Sequence, residues 1–244
     1  MNVLIVYCHP EPTSFNSTLK DTAKETFEAD GHCVEISDLY AQGFDPVEKE
    51  EHYSHNRIEK DRFDLLSEQR NAYMTDSLPK EIKKEIQKIE WCDLLIFQFP
   101  LWWHQQPAIL KGWFDRVFVS GGLYTSTMRY DKGYFKGKKA ICSVTSGAPV
   151  TTFTKNGRGG ESIEVLLRSM NFSLHYMGFT VLPPYLFGEI QNKDYTYMQP
   201  DDFTSHLKES INKWEDYLQN IHQVEPLSFC GWNDWDNNGM ERKV

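Results

Sequence analysis

Leu94-Leu95-Ile96-Phe97-Gln98-Phe99 runs directly into Pro100-Leu101-Trp102-Trp103-His104-Gln105-Gln106, and Pro107 follows. The first six residues have strand length and, Gln98 apart, no polar alternation. Such a run suits a strand covered on both faces. Pro107 opens a helix whose Ile109, Leu110, Trp113, Phe114, Val117 and Phe118 make a wide apolar face. The stretch therefore reads as strand, loop, helix. Two adjacent tryptophans and a histidine just past a buried strand are costly to expose. Their place at the ligand end of a parallel strand favours a flat aromatic ligand over a purely structural role.

The same alternation extends outward in both directions. Val3-Leu4-Ile5-Val6-Tyr7 reads as a first buried strand, followed by a helix over about 15–29 that Asp30-Gly31 closes. Val34-Glu35-Ile36 is a shorter second strand. Residues 41–78 break the rhythm with charge and few apolar anchors, and read as an insertion carrying a helix around 57–73. Ile82, Ile86 and Ile89 mark one face of the next helix, which leads into the strand at 94–99. Ala140 to Thr145 is a fourth strand, Ile163, Leu166, Leu167 and Met170 form a helical stripe, and Phe179 to Leu182 is a fifth strand. Phe203, Leu207, Ile211, Trp214, Leu218 and Ile221 then line a long amphipathic helix. Strands alternating with helices imply an α/β doubly wound parallel sheet. Five strands fit the flavodoxin-like order 2-1-3-4-5. The domain is expected over 1–222, with 223–244 as a surface extension.

Bulk properties narrow the function. The chain has 244 residues, 40% of them hydrophobic and 14% aromatic, which is ample for a core. A formal charge of −9 argues against a nucleic-acid partner, and the basic run Lys136 to Lys139 reads as the solvated entry to a strand. The apolar run at the start is too short for a signal peptide, and nothing reaches the length of a membrane span. Five cysteines without a CxxC pair read as free thiols in a reducing compartment, so a cytoplasmic location is expected.

Ligands of an open parallel sheet bind beyond the carboxyl ends of its strands. Three loops meet there. The first carries His9, Thr13, Ser14, Asn16 and Ser17 at a helix start, where hydroxyls, amides and free N–H groups can hold a phosphate without Lys or Arg; Ser14 equally suits a plain helix cap. The second is Pro100 to Pro107. The third, Thr145-Ser146-Gly147, lets a ligand edge approach closely because Gly147 has no side chain. No GxGxxG and no GxxxxGK[ST] is present, so neither a Rossmann nor a P-loop nucleotide site is supported.

At these loops the chain resembles the NAD(P)H:quinone oxidoreductase family. The match is carried by His9 with Thr13-Ser14-Phe15-Asn16, by Ile96 to Leu101 with Trp103, and by the run from Pro107 through Lys111-Gly112-Trp113-Phe114-Asp115-Arg116 to Phe118. Tyr130-Asp131-Lys132-Gly133, Thr145-Ser146-Gly147 and Gly178-Phe179 add to it, over roughly residues 1 to 220. The resemblance implies a flavin, FAD by chain length and the 41–78 segment, with FMN the alternative, and NADPH or NADH as hydride donor. It implies that His9, Ser14, Phe15 and Asn16 bind the flavin phosphates and nucleotide end. Pro100, Leu101, Trp103, His104, Thr145, Ser146 and Gly147 would flank the ring, with Trp102 beside them. Tyr124 and Tyr176, with His104, would line a pocket for quinone or nicotinamide at a homodimer interface. The implied reaction is ping-pong, by two-electron hydride transfer from NAD(P)H through the flavin to a quinone.

Two positions depart from the family. Its vertebrate members carry a Tyr and a His in the loop after the third site, where this chain has Phe153 and Gly159. A cation, Lys155 or Arg158, is the expected substitute for that pair, because fixed positive charge beside a developing anion is a large catalytic term. His104 replaces a family aromatic. Alternative readings are an azo- or nitro-reductase on the same flavin, a flavoprotein regulatory subunit of an ion-efflux system, and a one-electron carrier. The last is disfavoured by the Trp-Trp-His pocket.

Overall fold

A computed structural model describes residues 1–58, 60–191 and 197–242. A parallel sheet of order β2-β1-β3-β4-β5 runs through the molecule. It is built from β1 (Asn2–Tyr7), β2 (Cys33–Asp38), β3 (Leu94–Pro100), β4 (Lys139–Thr145) and β5 (Thr180–Val181). A sixth short strand, β6 (Tyr185–Phe187), also pairs with β4. The expected fifth strand is shortened to Thr180 and Val181, which pair with the start of β4, and the further strand Tyr185 to Phe187 pairs with its end. Pro183 and Pro184 lie between the pieces and have no N–H to donate, so the ladder stops there and resumes beyond them.

Alternation along the strands sends side chains to two cores. Val3, Ile5, Leu94, Ile96 and Ile141 pack with α1 (Phe15–Ala29) and α7 (Pro200–Gln219) on one face. Leu4, Val6, Leu95, Phe97 and Phe99 pack on the other with α3 (Lys80–Trp91), α4 (Ala108–Val117) and α6 (Arg168–Tyr176). Burial on both faces is why these strands read as unbroken apolar runs. Trp214 of α7 is fully buried against α1, and its indole N–H donates to the Leu19 carbonyl at 3.2 Å.

Two expectations about helices need correction. The insertion helix is α2 (Leu65–Met74) and starts later than expected, because Asp64 caps it by accepting from Ser67 N, and only a short 3-10 turn at Glu50–Tyr53 precedes it. The stripe from Ile163 to Met170 is divided between α5 (Ile163–Leu166) and α6, with a turn at Leu167 where ψ is 12°. The segment after α7 lacks a period but is docked. Leu227 N donates to the Val181 carbonyl, Phe229 stacks on His175 at 4.8 Å, and Trp232–Asp234 form a 3-10 turn. Residues 243 and 244 of that extension lie outside the described residues. All five cysteines are free, and Cys8, Cys92 and Cys142 are buried. Among the described residues no helix is long and apolar enough to cross a membrane.

The insertion is locked onto α4 by a polar seam. Arg116, 1% exposed, donates to the Asp45 carbonyl and to Glu81, and its guanidinium lies 5.6 Å from the Phe44 ring. Gln69 of α2 donates to the Asp115 carbonyl and accepts from Ser120 N. Gly112 lies where α4 meets Pro46: a Cβ there would overlap the Pro46 carbonyl oxygen. A mid-helix glycine costs up to about 1 kcal/mol relative to alanine, and this close approach explains its presence. Gly112→Ala is therefore expected to destabilise the fold by about 1–3 kcal/mol, as overpacking does, despite its better helix propensity. Chemical denaturation checks it; an unchanged midpoint would show that Pro46 moves aside freely.

Candidate active site

The loops after β1, β3 and β4 meet at one end of the sheet around a cleft of about 730 Å3. Ten expected residues line it: His9, Ser14, Phe15, Asn16, Pro100, Leu101, Trp102, Thr145, Ser146 and Gly147. Among the described residues, none that lines it is Asp, Glu, Lys or Arg. An anion placed here is met by neutral donors and by the N-terminus of α1, whose first N–H groups have no intrahelical partner. Ser14 takes both roles open to it. Its hydroxyl accepts from Ser17 N at 3.3 Å as the cap of α1, lies 3.2 Å from the Tyr7 hydroxyl, and borders the cleft.

Burial lowers the pKa of His9 below the usual histidine value, so the ring is neutral near pH 7. Its Nδ1 lies within hydrogen-bond distance of both the N–H and the carbonyl of Glu11, at 3.0 and 3.2 Å. Thr13 is exposed and outside the lining, because its N–H and hydroxyl both donate to the Glu11 carboxylate. Ser17 is buried one helical step below the cleft.

Beneath the cleft runs a buried polar chain. The Ser143 hydroxyl donates to Gln98 Oε1 at 2.6 Å, Gln98 Nε2 donates to Asn16 Oδ1 at 2.9 Å, and Asn16 Nδ2 donates to Thr145 Oγ1 at 2.7 Å. All four side chains are buried. In this order Thr145 receives a hydrogen bond from below and keeps its own proton for the cleft. The chain ties α1, β3 and β4 together at the height of the site.

The second loop folds back as a tight turn, with Trp102 N donating to the Gln105 carbonyl and Gln105 N to the Trp102 carbonyl, both at 3.0 Å. Trp103 and His104 at its tip have φ of 52° and 62°. Left-handed backbone costs a non-glycine residue roughly 1–2 kcal/mol, and two in succession is a strain of the kind concentrated at functional sites. The turn holds Trp103 94% exposed, and neither Trp103 nor His104 lines the cleft.

Tyr124 and Tyr176 stand elsewhere. Their rings meet edge to face at 5.8 Å in a second cavity of about 580 Å3, which shares no lining residue with the cleft. Lys155 and Arg158 are exposed and also outside the cleft. Phe153 is buried, and a Cβ on Gly159 would come within 2.8 Å of its ring and of the Thr152 carbonyl. Position 159 therefore has no room for a side chain. Sequence reasoning missed one wall of the cleft: Ala148, Ile190, Gln191, Tyr197, Phe203 and Leu207. Phe203 and Leu207 were legible only as part of the α7 stripe. Among the described residues, Gln191 Nε2 is buried and has no hydrogen-bond partner.

Gln98→Leu keeps the volume but strands Asn16 and Ser143. Each buried group left unsatisfied costs about 1–3 kcal/mol, so a drop in unfolding free energy of that order is expected. Ser143→Ala combined with Gln98→Leu should recover part of it by removing one stranded hydroxyl. A double-mutant cycle by denaturation reads this, and strict additivity would show that the chain is not coupled.

A family profile described as flavodoxin-like fold matches residues 1–218. The chain is 38% identical over 235 residues to NAD(P)H dehydrogenase [quinone] 1 of Cavia porcellus, covering 96% of this chain and 82% of that protein. It is 37% identical over 225 residues to ribosyldihydronicotinamide dehydrogenase [quinone] of Homo sapiens, covering 92% and 94%. A solved structure from Klebsiella pneumoniae, assigned as a quinone reductase, superposes with a TM-score of 0.88 at 30% identity, covering 99% of this chain and 94% of that one. The chain belongs to the NAD(P)H:quinone oxidoreductase family of the flavodoxin-like fold and is an oxidoreductase.

Proposed function

We propose that the protein is a flavin-dependent NAD(P)H:quinone oxidoreductase with FAD in the cleft. The observation that carries this reading is the convergence of a helix N-terminus, neutral donors and an apolar wall on one cleft whose described lining carries no charged side chain. That donor set fits a flavin. His9, Ser14, Phe15 and Asn16 would hold its phosphates and nucleotide end, and Ser146, Gly147 and Thr145 would meet the polar rim of the ring. The unpartnered Gln191 amide is a further donor available to it. At Gly147 a Cβ would find no neighbour nearer than 3.7 Å within the chain, so the glycine is not needed for internal packing and is free to serve a ligand. Bound there, a flavin supplies hydride transfer from NAD(P)H to a quinone in two successive two-electron steps.

The remaining chemistry belongs to side chains. Pro100, Leu101 and Trp102 exclude water from one side of the ring, while Trp103 and His104 border the side left open for NAD(P)H and then the quinone. Tyr124 and Tyr176 line the acceptor pocket from a second copy of the chain, which is why they stand apart from the cleft of their own protomer. Lys155 and Arg158 have no ion pair among the described residues. Their exposed loop, with Gly157 and Gly160, can bring one of them toward the charge that develops on reduction. A cytoplasmic location accords with the free thiols.

Purified protein is expected to show an oxidised-flavin absorption band that NADPH bleaches and menadione restores, with FAD released on denaturation. A colourless protein that takes up no added flavin and oxidises no NADPH would overturn the reading. Lys155→Ala with Arg158→Ala is expected to slow flavin reduction or its reoxidation about ten-fold or more, since one preorganised donor is commonly worth that or greater. Stopped-flow absorbance measures both half-reactions, and unchanged rates would remove the two cations from catalysis.

A further inference from the structure

Thr145 ends a chain of side-chain hydrogen bonds whose other end, Ser143, lies outside the cleft lining and is 0% exposed. We propose that Ser143 is a positioning residue that fixes the direction of this chain. It thereby keeps the Thr145 proton free for the cleft, where Thr145 donates to an acceptor atom of the ligand: a carbonyl oxygen or an unprotonated ring nitrogen.

Two directions satisfy the chain internally, because hydroxyls and amides both donate and accept. In the first, Ser143 donates to Gln98, Gln98 to Asn16 and Asn16 to Thr145. Turning both amides over gives the second, in which Thr145 donates to Asn16, Asn16 to Gln98 and Gln98 to Ser143. The spacings of 2.6, 2.9 and 2.7 Å suit either. The loose ends decide between them. In the second direction the Ser143 proton is left over, and among the described residues the Ser143 hydroxyl has no bond besides the one to Gln98. A donor stranded in a dry core forfeits its solvation. In the first direction the leftover proton belongs to Thr145, which lines the cleft, where water or a ligand can take it. Only the buried end is costly to leave unmet, so the first direction holds.

The sheet keeps the relay in place. Gln98 stands opposite Ser143 in the β3–β4 register, and Pro100 stands opposite Thr145. The Thr145 carbonyl accepts from Leu101 N at 2.9 Å, which ties its backbone to the second loop. Asn16 is 3% exposed and Thr145 4%, so bulk solvent offers the amide no substitute partner. A hydroxyl that touches no ligand thus sets, through two amides, what the cleft offers at Thr145.

That the acceptor belongs to a flavin rests on the function proposed above; the direction of the chain does not. Two measurements on the whole chain keep the two apart. NMR of the flavin-free protein reads the direction. The Asn16 side-chain amide protons are expected to give Overhauser contacts to Thr145 in the wild type, and to Thr145 and Gln98 alike in Ser143→Ala, where neither direction strands a serine proton. Contacts to Gln98 in the wild type, or an unchanged pattern in Ser143→Ala, would overturn the proposal. Calorimetric titration with FAD reads the consequence in Gln98→Glu. Ionised, the introduced carboxylate only accepts, so Asn16 must donate to it and Thr145 to Asn16; protonated, it restores the first direction. FAD affinity of this variant is expected to fall about ten-fold or more as the carboxyl ionises, the loss of one hydrogen bond with its acceptor left unmet. Thr145→Val combined with Gln98→Glu should abolish that pH dependence, whereas mere repulsion by the carboxylate would persist in it. An equal fall in the double variant would overturn the link to the ligand. Should Gln98→Glu fail to fold, the NMR comparison decides alone. A wild type that takes up no FAD would remove the flavin reading and leave the direction to be decided by the Asn16 contacts.

Discussion

Gln98 is the constraint on which the site depends. It is the one polar side chain in a strand that otherwise presents only apolar groups to two cores, and it is 1% exposed. An amide buried that deeply must find partners for both its ends or forfeit their solvation. Ser143 on β4 satisfies the oxygen and Asn16 on α1 the nitrogen, and Asn16 passes the bond on to Thr145. Three elements that meet at the site are therefore held in one register by hydrogen bonds in a dry environment, where such chains reinforce one another. An apolar residue at position 98 would pack as well but would leave the loops free to choose their own heights.

Among the described residues the cleft lining carries no Lys or Arg. An anion there would be met by helix N-terminal N–H groups, His9 and hydroxyls, and a helix start concentrates partial positive charge without the desolvation cost of burying a full cation. Arg116 is consumed in docking the insertion.

The β3–α4 turn follows a different rule. Its two left-handed residues and exposed Trp103 are unfavourable on their own and are closed off by the paired backbone hydrogen bonds between Trp102 and Gln105. The surroundings of Tyr130 show the same pattern, with strain held in place by contacts from a distant segment.

Much of this was legible in the sequence. Strands covered on both faces announce themselves as apolar runs, so β1, β3, β4 and the helix at 15–29 could be bounded closely, while Ile82, Ile86 and Ile89 marked the buried face of the helix at 80–91. The rule that ligands sit past the carboxyl ends of parallel strands then located ten cleft residues from loop positions alone. Other features were not legible, for identifiable reasons. Phe203 and Leu207 read as core residues because a helical stripe does not say which of its turns overhangs a cavity. Lys155 and Arg158 lie outside the cleft lining because sequence adjacency to a loop does not fix a direction in space. Local chemistry, carried by periodicity, turn residues and helix starts, determined the fold and the identity of the loops. Long-range packing decided which loops share a wall and where the extension docks. It also decided that Arg116 is spent on docking the insertion, since each of these depends on contacts between residues tens to more than a hundred positions apart.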